Sequence, residues 1–367
     1  MERGIIPLCS AEHEPPRSRT INPTRTSDAA LTQGNGPADA RPDALPLQSW
    51  QTALQTAVRD PAELLRLLEL PPAALGAPAN VSFPLLVPRS LVARMRKGDP
   101  RDPLLLQVWP HAAELTPVAG FTADPVREQR LAAAGLIQKY PGRVLLIASG
   151  ACPLHCRYCF RREFPYSSQL AARADWSVAL AELRNAPDAR EAILSGGDPL
   201  SLSNRRLGEL IARLEDTAIT TVRIHTRFPI AIPERVDAGL LRVLSSTRLH
   251  TVLVVHANHA NELDVGVERA LRALHGGLTA LLNQSVLLRG VNDAVDVLAA
   301  LSERLFACGA LPYYLHLLDP VAGAAHFDVD DRTATRLIAE LRARLPGYLV
   351  PRLVREVPGE LSKTAIA

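Results

Sequence analysis

Three cysteines lie close together in the segment Cys152-Pro-Leu-His-Cys156-Arg-Tyr-Cys159. The spacing CxxxCxxC puts three thiolates on one tight loop, directly after the apolar run 144–149. Three sulfurs are one fewer than either tetrahedral zinc or a closed four-iron cluster requires. A [4Fe–4S] cluster held by these three cysteines would therefore leave one iron open to an outside ligand. The alternative is a zinc loop whose fourth ligand is His155 or a distant residue.

A second motif, the turn Ser195-Gly196-Gly197-Asp198, follows one strand and one helix later. Two glycines let a backbone approach a ligand closely, because no Cβ intervenes. Taken alone, such a segment is more often only a turn, since Gly and Asp favour turns for conformational reasons. Its position one unit after the cysteine loop favours a shared function.

The two motifs together resemble those of the radical S-adenosylmethionine (SAM) enzymes. The resemblance implies a [4Fe–4S] cluster on Cys152, Cys156 and Cys159, with SAM bound to its open iron. It also implies that the turn of Ser195, Gly196, Gly197 and Asp198 contacts the methionine amine of SAM.

Composition and charge narrow the class of protein. The chain has 367 residues and a formal net charge of +3. Its arginines are scattered, so nothing favours a nucleic-acid partner. Five cysteines, three of them in one loop, do not make a disulfide framework, and Cys9 and Cys308 are expected to play no part. No secretory segment or apolar run of transmembrane length is present, so we expect a cytoplasmic protein without a membrane partner.

Three regions can be distinguished along the chain. Residues 1–46 are rich in Pro, Ser, Thr, Ala and Asp and contain no aromatic residue, so they are predicted to be a disordered tail. Residues 47–140 show short helical patterns, among them 61–68, 88–96 and 124–131. Residues 141–367 are predicted to form the core domain.

In the core domain, strand and helix patterns alternate. Apolar runs predict parallel strands at 144–149, 191–194, 221–225, 251–255, 279–288 and 311–318. Helices are predicted at 204–215, 234–245, 262–275, 294–308 and 332–345, before a last extended segment at 348–357. Six such units predict an α/β fold, an incomplete (βα)₆ barrel of the radical SAM kind. Its chemistry is expected at the C-terminal ends of the strands, where His225 and His256 also lie.

Four segments resemble motifs of one family: 139–147 (KYPGRVLLI), 156–162 (CRYCFRR), 283–293 (NQSVLLRGVND) and 358–363 (PGELSK). They are similar to those of the lysine 2,3-aminomutase family of radical SAM enzymes, and the resemblance covers about residues 50–367. Within this family, the chain resembles most the short bacterial members whose β-lysine modifies elongation factor P. The resemblance implies an isomerase that moves the amino group of L-lysine from C2 to C3.

The family also uses pyridoxal phosphate (PLP), held as a Schiff base by a lysine near the C-terminus. The resemblance gives this role to Lys363, although Glu-Leu-Ser replaces three glycines of the family loop. It implies that Arg143 holds the PLP phosphate and that Tyr140 and Gln284 surround the ring. Without the resemblance, Lys363 would be a solvated surface residue, and Tyr140 and Gln284 ordinary polar core residues.

The substrate contacts are also implied by the resemblance. Arg161 matches the residue that pairs with the α-carboxylate, while Asp319 and Glu356 match two carboxylates that bind the ε-ammonium. The family has Asp where this chain has Glu356, which is a conservative change. Two carboxylates favour a substrate with a distal cation over glutamate or a neutral amino acid. The alternative for Asp319 is a helix cap before Pro320.

The resemblance further implies L-lysine as substrate, an electron donor such as flavodoxin or ferredoxin, and a functional link to elongation factor P and its lysyl ligase. Longer members of the family carry a C-terminal extension, and the end of this sequence just after Lys363 favours the elongation-factor branch. Free β-lysine made for another purpose is one alternative. A radical SAM enzyme acting on a protein or nucleic acid, and a non-enzymatic iron–sulfur or zinc protein, are the others.

Overall fold

The structure is a computed structural model, and it describes residues 49–79, 83–128, 135–166 and 175–367. The tail predicted at 1–46 lies outside the described residues. The division between a helical region at 47–140 and a core domain at 141–367 stays a prediction.

Among the described residues before the sheet, four short α-helices are present: α1 (Trp50–Gln55), α2 (Pro61–Leu67), α3 (Arg89–Val92) and α4 (Pro103–Leu106). The starts of α2 and α4 follow from local sequence, because each has an aspartate N-cap, Asp60 or Asp102, before a proline at the first helical position. The described part of the predicted helix at 124–131, residues 124–128, is not helical. Arg127 there has a φ of +55°, which a helix does not allow.

In the part of the chain that the structure describes, nine strands form one sheet at the core of the fold, in the order in which they occur in the sequence. The strands are β1 (Leu136–Tyr140), β2 (Arg143–Ser149), β3 (Glu191–Gly196), β4 (Thr221–Thr226), β5 (His250–His256), β6 (Ala280–Val286), β7 (Leu311–His316), β8 (Arg352–Arg355) and β9 (Thr364–Ala365). Strands β2 to β8 pair in parallel, whereas β1 and β9 are antiparallel additions at the two edges.

Helices connect the parallel strands: α5 (Ser177–Arg184), α6 (Asn204–Glu215), α7 (Phe228–Ala231), α8 (Ala238–Ser245), α9 (Val265–His275), α10 (Val295–Ala307) and α11 (Asp331–Arg344). Side chains of Ser203, Asp237, Asp264 and Asp330 cap four of them. No helix in the described ranges is long and apolar enough to cross a membrane.

All six predicted parallel strands are confirmed, and the extended segment predicted at 348–357 contains a seventh, β8. The sequence analysis missed β1 and β9. Both are edge strands, and β9 has only two residues, so neither carries the apolar run of a strand buried on two faces.

The two faces of the sheet differ. Along β4 and β6 fully buried and partly accessible residues alternate, so one face packs under the helices and the other lines an accessible interior. Contrary to the prediction of wholly apolar strands, the interior positions of β4 include Arg223 and His225.

The sheet is curled so that its two edges approach each other. The hydroxyl of Tyr140, at the end of β1, donates a hydrogen bond to Glu356, which follows β8. No strand pairing joins the first and last strands, β1 and β9. The architecture is therefore an incomplete barrel, as the sequence predicted, with an open side between these edges.

Candidate active site

The three cysteines follow β2, at the carboxyl edge of the parallel strands. All three side chains are half-buried and form no disulfide. Burial raises the pKa of Cys152 well above its usual value, and the charges of Asp198 and of the other two cysteines add to the effect. Burial also raises the pKa of Cys159 to about 11. A bound metal would counteract this, because a coordinating thiol is deprotonated.

The donor set fits a four-iron cluster with one open iron. In such a cluster each thiolate binds a different iron, so the sulfurs need not meet at one point. Among the residues that the structure describes, no three His, Cys, Asp or Glu side chains are arranged to hold a single metal ion.

His155, the fourth ligand in the zinc alternative, contacts the helical region instead of the thiols. Its Nδ1 lies 2.8 Å from the carbonyl oxygen of Pro84. The imidazole stacks on Phe83 with the ring centres 4.5 Å apart, and its backbone N–H donates to the Leu86 carbonyl at 3.1 Å. The ring therefore serves to hold the cysteine loop against the chain N-terminal to it.

The Gly-Gly turn packs directly on the start of the cysteine loop. The N–H of Gly197 donates to the Ser149 carbonyl, and that of Asp198 to the Ala151 carbonyl, each at 2.7 Å. A Cβ on Gly197 would lie 2.5 Å from the Ala151 oxygen. Gly196 has a φ of +118°, and a Cβ there would lie 2.4 Å from the Ser149 oxygen. The sequence analysis explained the glycines by approach to a ligand, but their Cβ positions are blocked by this chain's own backbone.

Asp198 ties the same turn to β4. Its buried carboxylate accepts hydrogen bonds from the N–H of Leu200 at 2.9 Å, the hydroxyl of Thr226 at 2.8 Å and the N–H of Arg227 at 2.6 Å. Burial raises the pKa of Asp198 to about 6, and these hydrogen bonds oppose the rise. A direct contact between this carboxylate and SAM stays a prediction.

Arg161 is buried and bound by Glu128, through Nε to Oε2 at 2.7 Å and Nη2 to Oε1 at 3.1 Å. Its Nη1 donates to the Ser195 hydroxyl at 2.6 Å and to the Gly196 carbonyl at 3.4 Å. Burial is the largest single effect and acts to lower the pKa of Arg161, but the charge of Glu128, its hydrogen bonds and smaller contributions from Tyr166 and Cys159 together raise the pKa. A guanidinium has five N–H groups, so these contacts leave one, on Nη2, for a substrate carboxylate.

Lys363 lies beside two other predicted site residues. Its Nζ donates to Glu356 Oε2 at 2.5 Å and lies 6.0 Å from the centre of the Tyr314 ring. The Tyr140 hydroxyl donates to the other oxygen of Glu356. Burial, followed by the hydrogen bond to Glu356, raises the pKa of Tyr140, so the phenol keeps its proton. Glu356 is thus shared by Lys363 and Tyr140, two of the four residues that the resemblance assigned to PLP.

Asp319 and Glu356 follow the carboxyl ends of the paired strands β7 and β8. The pKa of Arg355 is raised first by its hydrogen bond to Asp331 and to a smaller extent by the charge of Asp319, which places Asp319 near β8. Residues 317–324, all of them described, contain no helix, so the helix-cap alternative for Asp319 is wrong.

The other two predicted PLP contacts lie on different strands. Arg143 begins β2 and is exposed, with its guanidinium carbon 5.5 Å from the centre of the Tyr140 ring. Gln284 lies on β6, and its Nε2 is 2.9 Å from Nε2 of His256 on β5. Arg143 therefore lies near Tyr140, while a joint contact of Gln284 and Lys363 with PLP stays a prediction.

Three imidazoles lie near the carboxyl ends of the strands: His225, His256 and His316. Burial lowers the pKa of all three, that of His256 to about 3, so they are neutral at pH 7. Nε2 of His225 and Nε2 of His316 are buried without a hydrogen-bond partner among the described residues. Buried polar atoms are normally paired, so these two fit a site that binds a polar organic molecule.

The sequence analysis missed two residues of this site. Glu128 follows an Asp-Pro turn without any recognisable motif, so its pairing with Arg161 could be found only from the fold. His316 did carry a signal, because it is a polar residue within the apolar run predicted at 311–318, and it lies at the buried end of the strand Leu311–His316.

Several known proteins with the name L-lysine 2,3-aminomutase are similar in sequence to this chain. The L-lysine 2,3-aminomutase of Escherichia coli (strain K12) is 45% identical over 323 residues, which cover 87% of this chain and 94% of that protein. The Haemophilus influenzae protein of the same name is 43% identical and is covered to 96%. The L-lysine 2,3-aminomutase of Clostridium subterminale is 37% identical over 279 residues, covering 73% of this chain and 65% of that protein. No family model matches the chain.

Solved structures show weaker similarity. A radical SAM methyltransferase from Sphaerobacter thermophilus aligns with a TM-score of 0.44 and 17% identity, over 60% of this chain and 68% of that one. This similarity is too low to carry an argument about the fold or the function.

An incomplete parallel barrel, with three cysteines after its first parallel strand and a Gly-Gly turn after the second, defines a radical SAM enzyme. The fold and the two motifs together therefore identify the class of enzyme. Since 94% of a relative is matched at 45% identity, the chain belongs to the lysine 2,3-aminomutase family. It is an isomerase, and membership of the family implies a [4Fe–4S] cluster, SAM and PLP as cofactors.

Changing Gly197 to Ala should disrupt the contact between the turn and the cysteine loop. The new Cβ would meet the Ala151 oxygen at 2.5 Å, so the backbone must move. We expect the free energy of unfolding to fall by about 1–3 kcal/mol in urea titrations, together with weaker SAM binding by calorimetry. Gly276→Ala is the control, since nothing lies within 4 Å of that Cβ position. Normal SAM affinity in Gly197→Ala would contradict this role of the turn.

Proposed function

We propose that this protein converts L-lysine to β-lysine by moving the amino group from C2 to C3. The observation that carries the proposal is that the carboxylate of Glu356 binds both Lys363 and Tyr140. The contact between Lys363 and Glu356 joins the lysine that matches the family's PLP residue to a carboxylate that is suited to binding an ammonium group. The identity to the L-lysine 2,3-aminomutases of Escherichia coli and Haemophilus influenzae supports lysine as the substrate.

The cofactors are assigned to three groups of residues. Cys152, Cys156 and Cys159 hold the cluster; the turn of Ser195, Gly196, Gly197 and Asp198 lines the SAM site; Lys363, Arg143, Tyr140 and Gln284 form the PLP site. When bound, the cluster with SAM supplies a carbon radical, and PLP supplies a conjugated ring that stabilises an unpaired electron beside the migrating nitrogen. The protein holds these groups in fixed geometry and excludes water from them.

Arg161 orients the substrate through its α-carboxylate. Glu128 and Ser195 hold the guanidinium, so its one remaining N–H points in a fixed direction. Glu128 already balances the charge of Arg161. The contact between Arg161 and the substrate α-carboxylate therefore contributes more to positioning the substrate than to neutralising its charge. The same guanidinium touches the Gly-Gly turn at the Gly196 carbonyl, which couples the substrate site to the proposed SAM site.

Charge balance separates the roles of Asp319 and Glu356. Lysine brings an ε-ammonium, and Lys363 carries a second ammonium whenever it is not bonded to PLP. Two ammonium groups held out of bulk water require two carboxylates, because an unpaired charge becomes more costly the more deeply it is buried. Glu356 already accepts the Lys363 ammonium at 2.5 Å. We therefore assign Glu356 mainly to Lys363 and Asp319 mainly to the substrate.

We place the product in the modification of elongation factor P, in the cytoplasm, with a lysyl ligase downstream and a flavodoxin or ferredoxin as electron donor. The alignment with the Escherichia coli and Haemophilus influenzae relatives covers 94% and 96% of those proteins, whereas that with the Clostridium subterminale relative covers 65%. The chain therefore matches the first two relatives over nearly their whole length, and this supports the elongation-factor branch over free β-lysine made for another purpose.

The chemistry can be tested by anaerobic reconstitution with iron, sulfide, PLP and SAM. Chromatography should then show β-lysine formed from L-lysine. Borohydride should fix PLP to the C-terminal peptide, and Lys363→Ala should lose this adduct because no other amine takes its place. Lys97→Ala, which removes an exposed lysine paired with Glu69, is the control and should keep the adduct. A PLP adduct retained in full by Lys363→Ala would contradict the assignment.

Asp319→Asn tests the substrate ammonium site. It should lower kcat/KM for lysine on the order of a hundredfold, equivalent to about 3 kcal/mol of lost pairing. PLP loading should not change, because Glu356 binds the Lys363 ammonium at 2.5 Å. The matched variant Glu356→Gln should instead weaken PLP loading more than it raises the KM for lysine. Equal effects of the two variants on both measurements would reject the separate roles.

The pathway can be tested by deleting the gene. Intact-mass spectrometry of elongation factor P should then show loss of the β-lysyl increment, and added β-lysine should restore it. An unchanged mass in the deletion strain would remove the pathway assignment and leave the aminomutase chemistry standing on the enzyme assay.

A further inference from the structure

A fully buried carboxylate, that of Glu114, lies in the helical region and contacts the cysteine loop. Glu114 belongs to the 3₁₀ turn Ala112–Leu115. It binds Arg157 through two parallel hydrogen bonds, Nε to Oε1 at 2.8 Å and Nη2 to Oε2 at 2.5 Å. Arg162 Nη2 donates to Oε2 at 2.7 Å, and the N–H of His111 donates to Oε1 at 3.1 Å. Four donors satisfy the four lone-pair positions of the carboxylate, so none is left for a ligand.

The two arginines lie on both sides of the third cysteine. Arg157 stands between Cys156 and Cys159, and Arg162 follows Cys159 by three residues. The side chains of Glu114 and Arg157 are 0% exposed, and that of Arg162 is 3% exposed. Burial acts to raise the pKa of Glu114, but its bonds to the arginines outweigh this and lower the pKa, so the carboxylate stays ionised.

Phe83 and Gln107, which also belong to the helical region, make further contacts with the arginines of the cysteine loop. The ring of Phe83 lies 5.1 Å from the guanidinium carbon of Arg157 and 5.2 Å from that of Arg162. Arg157 also donates from Nη1 to the Phe83 carbonyl and from its backbone N–H to the Gln107 carbonyl. Of these contacts, only the one with Glu114 is an ion pair that reaches both arginines.

We propose that Glu114 is a positioning residue for the iron–sulfur cluster: it fixes Arg157 and Arg162 and thereby sets where Cys156 and Cys159 present their sulfurs. Glu114 touches neither cluster nor substrate. The helical region thus takes part in cofactor binding, a role for which its sequence gives no motif. This inference rests on the proposed cluster ligands.

The test is the stability of the reconstituted cluster in Glu114→Gln. Glutamine keeps the size of the side chain but removes the charge and turns an amide NH₂ toward a guanidinium. Under anaerobic conditions and without lysine or PLP, an iron chelator should remove iron on the order of 10- to 100-fold faster than from the wild type, the range for partners that orient metal ligands. The electron paramagnetic resonance spectrum of the reduced cluster should also change shape.

Glu268→Gln is the matched control. Glu268 also bridges two arginines, Arg272 at 3.0 Å and Arg304 at 2.8 Å, but on α9 and α10, away from the cysteine loop. It should keep wild-type iron retention and spectrum. Glu114→Asp keeps the charge and should therefore retain iron better than Glu114→Gln. If Glu114→Gln does not fold, Glu114→Asp is measured in its place.

The outcomes distinguish the positioning role of Glu114 from the proposed cluster site itself. Wild-type iron retention and an unchanged spectrum in a folded Glu114→Gln, or in Glu114→Asp if only that variant folds, would overturn the positioning role and leave the proposed function intact. The same holds if Glu268→Gln loses iron as fast as Glu114→Gln. Failure of the wild type itself to take up iron would contradict the proposed cluster site, and the positioning role with it.

Discussion

Parallel pairing of neighbouring strands is the constraint on which the site depends. Because β2 to β8 run in the same direction, their carboxyl ends meet at one edge of the sheet, and each contributes its following residues to that edge. Cysteines after β2, glycines after β3 and carboxylates after β7 and β8 therefore come together although they are far apart in sequence. The curl of the sheet then brings Tyr140 to Glu356 across the open side.

Buried charge holds these segments in place. Arg161 with Glu128, and Arg157 with Glu114, are ion pairs almost fully removed from water. Such pairs add little net stability, since desolvation offsets their attraction, but breaking one leaves an uncompensated charge. Their effect is to make one geometry of the cysteine loop and of Arg161 much more favourable than the alternatives, which suits an enzyme that must control a radical.

The sequence predicted the elements with strong local signals. Buried strands such as Glu191–Gly196 and the amphipathic helix Asn204–Glu215 were found because apolar periodicity is local. The edge strand Thr364–Ala365 was missed, since two residues carry no periodicity. Likewise, the cysteine spacing predicted a cluster loop, whereas the arginine partners of Glu114 and Glu128 are separated from them by 33 to 48 residues and depend on the tertiary fold.

Three cysteine ligands would leave one iron open for SAM, and hyperfine spectroscopy of the reduced, reconstituted protein can detect SAM on that iron. With SAM labelled by ¹⁵N at its amine, the account predicts a nitrogen coupling to the cluster that appears only when SAM is present. Cys156→Ala should lose both cluster and coupling, whereas Cys308→Ala should keep both. A cluster without any coupling to the labelled amine would contradict the account.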